Sequence, residues 1–132
     1  MEEVKFNKLD KPQLLLDIKL NSEIVDIHND FDCIKIEMEK KSLFLKLKKS
    51  DPEKNFTPQT KFNYGSIEFK EFETKNLNTL LLQKLPATIN NLSIGEIFYS
   101  DKEKNKKCFF VLDFVDSDEY EIITSEVVVK FW

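Results

Sequence analysis

The chain has 132 residues, 41% hydrophobic and 33% charged, a size and balance that suit one folded domain and exclude wholesale disorder. Its net charge is −4 and all 20 basic residues are lysine; without the planar fork of arginine, recognition of nucleic acid or nucleotide phosphate is disfavoured. No apolar run approaches the roughly 20 residues of a membrane helix, and the acidic start Glu2-Glu3 is unlike a secretory signal, so the chain is expected to be soluble and cytoplasmic.

Residues up to Pro12 are mixed and polar and are expected to form an arm or a short entry element. Leu14, Leu16, Ile18 and Leu20 then alternate with Leu15, Asp17 and Lys19, the period of a strand with one buried face. Residues 24–28 begin another strand, Asn29-Asp30-Phe31-Asp32 has turn chemistry, and Ile34, Ile36 and Met38 alternate with Lys35, Glu37 and Glu39, which predicts a hairpin. Lys40-Lys41-Ser42 makes a second tight connection to Leu43, Leu45 and Leu47, opposed in parity to Phe44, Lys46 and Lys48; three successive antiparallel strands predict a meander. Residues 50–59, with Pro52 and Pro58, predict a surface loop.

Phe62 and Tyr64 share one parity and Ile67 and Phe69 the other, so a bulge or sharp bend is expected at Gly65. Asn76 is placed to cap a helix in which Leu77, Leu80, Leu81 and Leu85 recur at helical spacing, with Pro86 marking its end. Residues 94–99 resume strand character and 102–107 form a hydrophilic hairpin tip. Cys108, Phe110, Leu112 and Phe114 then alternate with Phe109, Val111, Asp113 and Val115 in a strand apolar on both faces. It is expected to be central, flanked by residues 120–124 after an Asp116-Ser117-Asp118 turn and then by 127–131. The expected fold is mainly β within α+β, one domain over 1–132: an antiparallel β-sandwich or strongly curved sheet of about seven to eight strands with one short helix.

Most familiar chemistries lack their residues. Strand alternation would put Asp26, the single histidine His28 and Asp30 on one face, a spacing for a divalent metal or a catalytic dyad, yet a solvated strand end explains it as well. No serine sits in a Gly-x-Ser-x-Gly elbow, and Cys33 and Cys108 fall in strands rather than at a helix start, with no metal-finger spacing; both are expected to be reduced. Asp113, Asp116, Asp118, Glu119 and Glu121 gather carboxylates around a turn, without the glycine of a calcium loop. Lys102, Lys104, Lys106 and Lys107, with the outward Lys46 and Lys48, read as solvated tips and edges that resist aggregation. The two glycines cannot build a phosphate-binding loop. Catalytic, cofactor-binding and metal-binding residues are therefore none.

The twelve phenylalanines are more suggestive, since Phe44 falls on a polar face and Phe56 in a loop; aromatic anchors rimmed by charge suit a protein-binding surface. The hairpin through residues 24–38, the strand Leu43-Phe44-Leu45-Lys46-Leu47, the segment Phe62-Asn63-Tyr64-Gly65-Ser66-Ile67-Glu68-Phe69 and the closing Val127-Val128-Val129-Lys130-Phe131 together resemble, in pattern, small β-rich immunity-type domains of bacterial toxin systems. That resemblance implies a cytosolic acidic protein that blocks a toxin, and it transfers no site residue. The expected function is a protein-binding module with a protein partner, which the resemblance makes a basic toxin, without nucleic acid, membrane or cofactor. The alternatives are a small-molecule or carbohydrate-binding β domain and a hydrolase built on a carboxylate pair, with Asp116 and Asp118 the pair to test first.

Overall fold

Buried Leu43, Leu45 and Leu47 alternate with outward Phe44, Lys46 and Lys48, and this sets the plan of the fold: one face of the strand is dry and the other meets water. The computed structural model describes residues 1–7, 13–52, 57–99 and 106–132. In chain order these form β1 (Glu2–Asn7), β2 (Gln13–Leu14), β3 (Asp17–Lys19), β4 (Ile24–Asp26), α1 (Ile27–Asp30), β5 (Phe31–Glu39) and β6 (Ser42–Lys49). There follow β7 (Tyr64–Lys70), α2 (Leu77–Leu81), β8 (Ile89–Tyr99), β9 (Lys106–Phe114), β10 (Glu119–Thr124) and β11 (Glu126–Phe131).

The strands pair antiparallel into a five-stranded sheet, β1-β11-β7-β6-β5, a four-stranded sheet, β10-β9-β8-β2, and the small ribbon β3-β4. The inward residues of the two larger sheets share one core. Leu43, Leu45, Leu47, Ile67, Phe69, Val127, Val129 and Phe131 face Leu92, Ile94, Phe110, Leu112, Phe114, Tyr120 and Ile122. Phe69 and Phe110 meet edge-on across the gap, ring centroids 5.8 Å apart, a preferred aromatic geometry. Each such side chain taken out of water contributes about 1.5–3 kcal/mol, which is what holds the layers together. The mainly β, antiparallel architecture is as the pattern predicts, though among the described residues its strands are more numerous than expected and its short helices are two. Among the described residues no helix is long and apolar enough to cross a membrane.

Several local readings are corrected. The N-terminal segment is strand β1 rather than an arm, because Val4 and Phe6 pack beside Val129 and Val127 in register with β11. The alternation from Leu14 to Leu20 is split between β2 and β3. Leu15 N–H bonds Leu92 O and Leu16 O accepts from Ile27 N–H, so the chain changes partners midway, burying Leu15 and leaving Leu14 exposed. The predicted 24–38 hairpin does not form: β4 pairs with β3, β5 with β6, and α1 separates them. A bulge between Cys33 and Lys35 then leaves Ile34 exposed while Cys33 and Ile36 stay buried. The tight connection to β6 forms as expected, with Lys40 at φ 57 taking the left-handed conformation without a glycine.

Gly65 lies in unbroken register between Leu47 and Phe131, so no bulge or bend occurs there. The irregularity sits just before it, where Asn63 N–H (2.9 Å) and Tyr64 N–H (3.0 Å) both donate to Trp132 O. Gly65 is needed for space instead: an added Cβ would stand 2.7 Å from Phe131 Cδ1. The helix after Asn76 ends at Leu81, before Pro86, and Asn76 makes no side-chain cap bond. β9 is interior as predicted, between β10 and β8, but residues 127–131 belong to the other sheet. The chain switches sheets at Ser125, whose N–H donates to Lys70 O at 3.2 Å beside the buried Thr124 hydroxyl, which also bonds that carbonyl. Residues 102–105 of the expected tip and 53–56 of the 50–59 loop, Phe56 included, lie outside the described residues, while Lys106 and Lys107 already belong to β9.

Candidate functional site

The Asp26, His28 and Asp30 trio is dispersed by the turn of α1, which strand parity could not foresee. Asp26 Oδ1 accepts the Asn29 N–H at 3.0 Å and its Oδ2 accepts Asn29 Nδ2–H at 2.7 Å, so this carboxylate caps the helix. His28 Nδ1 donates to Ile89 O at 2.8 Å, which tethers the ring to β8. Asp30 is buried, accepts the Gln59 N–H at 3.2 Å, and has its pKa raised by loss of water. A shallow groove of about 240 Å³ does unite Asp26 and His28 with Asp17, the residue directly opposite Asp26 in the ribbon. Among the described residues no group of three or more His, Cys, Asp or Glu is arranged to hold a metal ion.

Cys33 is a free, buried thiol whose pKa is pushed up to about 12 by desolvation, against the smaller effect of a hydrogen bond with the Lys35 backbone. Such a group is a poor nucleophile at neutral pH. The Cys108 side chain lies outside what is described.

The acidic turn has a different organisation from an ion loop. Ser117 Oγ accepts the Phe114 N–H at 3.1 Å and lies 3.0 Å from Phe114 O, and Asp116 takes the left-handed conformation at φ 61. The turn is thus closed by a hydroxyl, with Asp116 and Asp118 exposed to solvent. The remaining carboxylates are placed by β9 and β10. Their register sets Asp113 opposite Glu119, Val111 opposite Glu121 and Phe109 opposite Ile123, all on the outward face of the four-stranded sheet. On the other side Asn91 stands opposite Asp113 and Ser93 opposite Val111. Asp113 is 9% exposed, and among the described residues its Oδ1 has no hydrogen-bond partner. The result is a strip of half-buried apolar side chains, Phe109, Val111 and Ile123, edged by three carboxylates.

The outward face of the five-stranded sheet has the opposite character. Lys46 and Lys48 project from β6 as predicted, with Lys46 Nζ 4.8 Å from the Phe44 ring centroid. Lys35 pairs with Glu37 at 3.0 Å and Lys130 with Glu3 at 3.7 Å. Tyr64, opposite Lys48, stacks on Trp132 with centroids 6.3 Å apart, and both rings are more than two-fifths exposed. Beside them is a groove of about 310 Å³ lined by Lys48, Lys49, Ser50, Asp51, Asn63 and Tyr64. The expectation of an exposed Phe44 is corrected here. Where burial is described no phenylalanine is exposed, because the core takes most of them and Phe44 lies half covered, while Phe56 lies outside the described residues; the exposed rings among those described are Tyr64 and Trp132. The sequence signal for them was available in the terminal aromatic and in the off-parity Tyr64, but not their adjacency, which needs β7 and β11 paired.

No family model, curated protein or solved structure matches this chain.

Proposed function

We propose that this chain is a cytoplasmic protein-binding module of the toxin-neutralising immunity type, which meets a basic partner through the outward face of its four-stranded sheet. The observation that carries the reading is the strip in which Phe109, Val111 and Ile123 adjoin Asp113, Glu119 and Glu121, with Asp113 Oδ1 lacking a donor. An apolar centre with a charged rim is the anatomy of a protein interface. A buried carboxylate oxygen without a donor costs about 1–3 kcal/mol, and a partner lysine or arginine reaching between Asp113 and Glu119 would recover it. The net charge of −4 would steer such a partner from a distance. Neutralisation needs no catalysis by this chain, only coverage of the toxin's working surface. The free Cys33 thiol fits a reducing compartment.

Capture from lysate of the source cells, with the immobilised domain as bait, tests this. One basic protein should be retained, its toxicity should be suppressed by the domain, and Glu119→Lys with Glu121→Lys should weaken the complex by at least about tenfold. A partner held equally well by the double variant, or one whose toxicity is unchanged, refutes the reading.

A second reading, carbohydrate binding, is favoured by the Tyr64–Trp132 stack beside its polar groove. It requires a saccharide whose binding is lost in Tyr64→Ala; failure of every arrayed glycan to bind removes it.

A further inference from the structure

Two of the sheet edges in this fold are each partly covered by the chain itself. Glu73 pairs with Ile123 along β10, reinforced by Thr74 Oγ1–H to Glu121 O at 2.8 Å, and Ala87 pairs with Cys33 along β5. The edge of β1 is different: among the described residues its backbone pairs with β11 alone. An edge strand left with unpaired N–H and C=O groups is a template for another strand.

We infer that β1 is a self-association edge, pairing antiparallel with β1 of a second copy about a two-fold axis at Val4. The charge pattern selects both the occupant and the register. Residues directly opposite must share a face, so a symmetric pairing is centred on one residue. Centred on Glu3 it would place glutamate against glutamate, and centred on Lys5, lysine against lysine. Centred on Val4 it sets Lys5 of each copy opposite Glu3 of the other, twice, on the outward face where both side chains are exposed. On the inward face Val4, half-buried in the single chain, gains the second Val4 as a neighbour and extends the core. Charges on an edge ordinarily repel strands; here their order makes the registers centred on Glu2, Glu3 or Lys5 repulsive and the one centred on Val4 attractive. The two five-stranded sheets become continuous, and the acidic strips of the four-stranded sheets stay uncovered, so the dimer would present its partner with two equivalent sites.

The inference goes beyond the binding role proposed above and is tested without any partner. Sedimentation over a range of concentrations should give twice the 15.6 kDa chain mass at the upper end, with association weakening as salt rises. Lys5→Glu alone and Glu3→Lys alone should each weaken it by about tenfold or more, since each sets like charges opposite one another at two places. An equimolar mixture of the two variants should associate as the wild type does, because glutamates at 3 and 5 then face lysines at 5 and 3. Lys130, 3.7 Å from Glu3, loses that contact in Glu3→Lys, but an exposed pair contributes little to the fold, and unchanged thermal unfolding would verify it. A chain monomeric at every concentration, a dimer indifferent to Lys5→Glu, or a mixture that fails to associate would each overturn the inference.

Discussion

Replacing Gly65 by alanine probes the tightest point of the core. The added Cβ would stand 2.7 Å from Phe131 Cδ1, 2.8 Å from Cε1 and 3.2 Å from Lys130 O. Phe131 cannot swing aside freely: it is fully buried, with Phe31 5.1 Å and Phe62 5.9 Å away between ring centroids. Backbone strain plays no part, since Gly65 does not take a positive φ. Overpacking of this kind costs about 1–3 kcal/mol. Alanine returns about 0.4–1 kcal/mol by restricting the unfolded chain, leaving a net loss of about 1–2 kcal/mol. At roughly 4 °C per kcal/mol for a domain of this size, Tm should fall by about 4–8 °C. Urea unfolding gives the free energy, and a double-mutant cycle with Phe131→Leu isolates the clash, because Gly65→Ala should cost less where the smaller side chain yields space. A Gly65→Ala protein as stable as wild type, or a cost unaltered by Phe131→Leu, would show that the glycine is not there to admit Phe131.

Burial sets the remaining expectations. Cys33 binds its proton more tightly folded than unfolded, so its contribution is whole below the ordinary thiol pKa of 9.0. It should fade as pH rises toward about 12, by about 1.4 kcal/mol per pH unit, a slope absent from Cys33→Ala when the two are unfolded side by side. Asp30 is likewise raised, first by desolvation, so the cost of its charge appears as pH rises through its folded pKa. Asp30→Asn should therefore gain on wild type between pH 3 and pH 7 in paired melts, a gain that would be missing if the carboxylate were well paired. Asp26→Ala removes the cap of α1 and should cost about 1 kcal/mol in denaturant unfolding. Glu119 and Glu121 are exposed, so Glu119→Lys with Glu121→Lys should leave stability within about 0.5 kcal/mol of wild type while weakening partner capture by at least about tenfold.

Periodicity and composition by themselves determined the mainly β class, the leucine face of β6, the interior place of β9 and the short connection at Lys40-Lys41. In each case the signal is local: a period of two along one strand, or turn residues between two apolar runs, fixes a conformation without reference to distant chain. The tertiary structure decided which strands become neighbours, and several readings turned on that. β4 turned to β3 because Leu16 O takes the Ile27 N–H, which broke the Asp26, His28 and Asp30 alignment. β11 left β10 for β7 at Ser125, which brought Trp132 onto Tyr64 and Phe131 onto Gly65. The aromatic pair and the open β1 edge are products of pairing between segments far apart in sequence, whereas the acidic strip comes from the local β9–β10 hairpin. Alternation tells each strand which face to bury, whereas the choice of partner rests on packing and backbone bonds that exist only once the sheets have met.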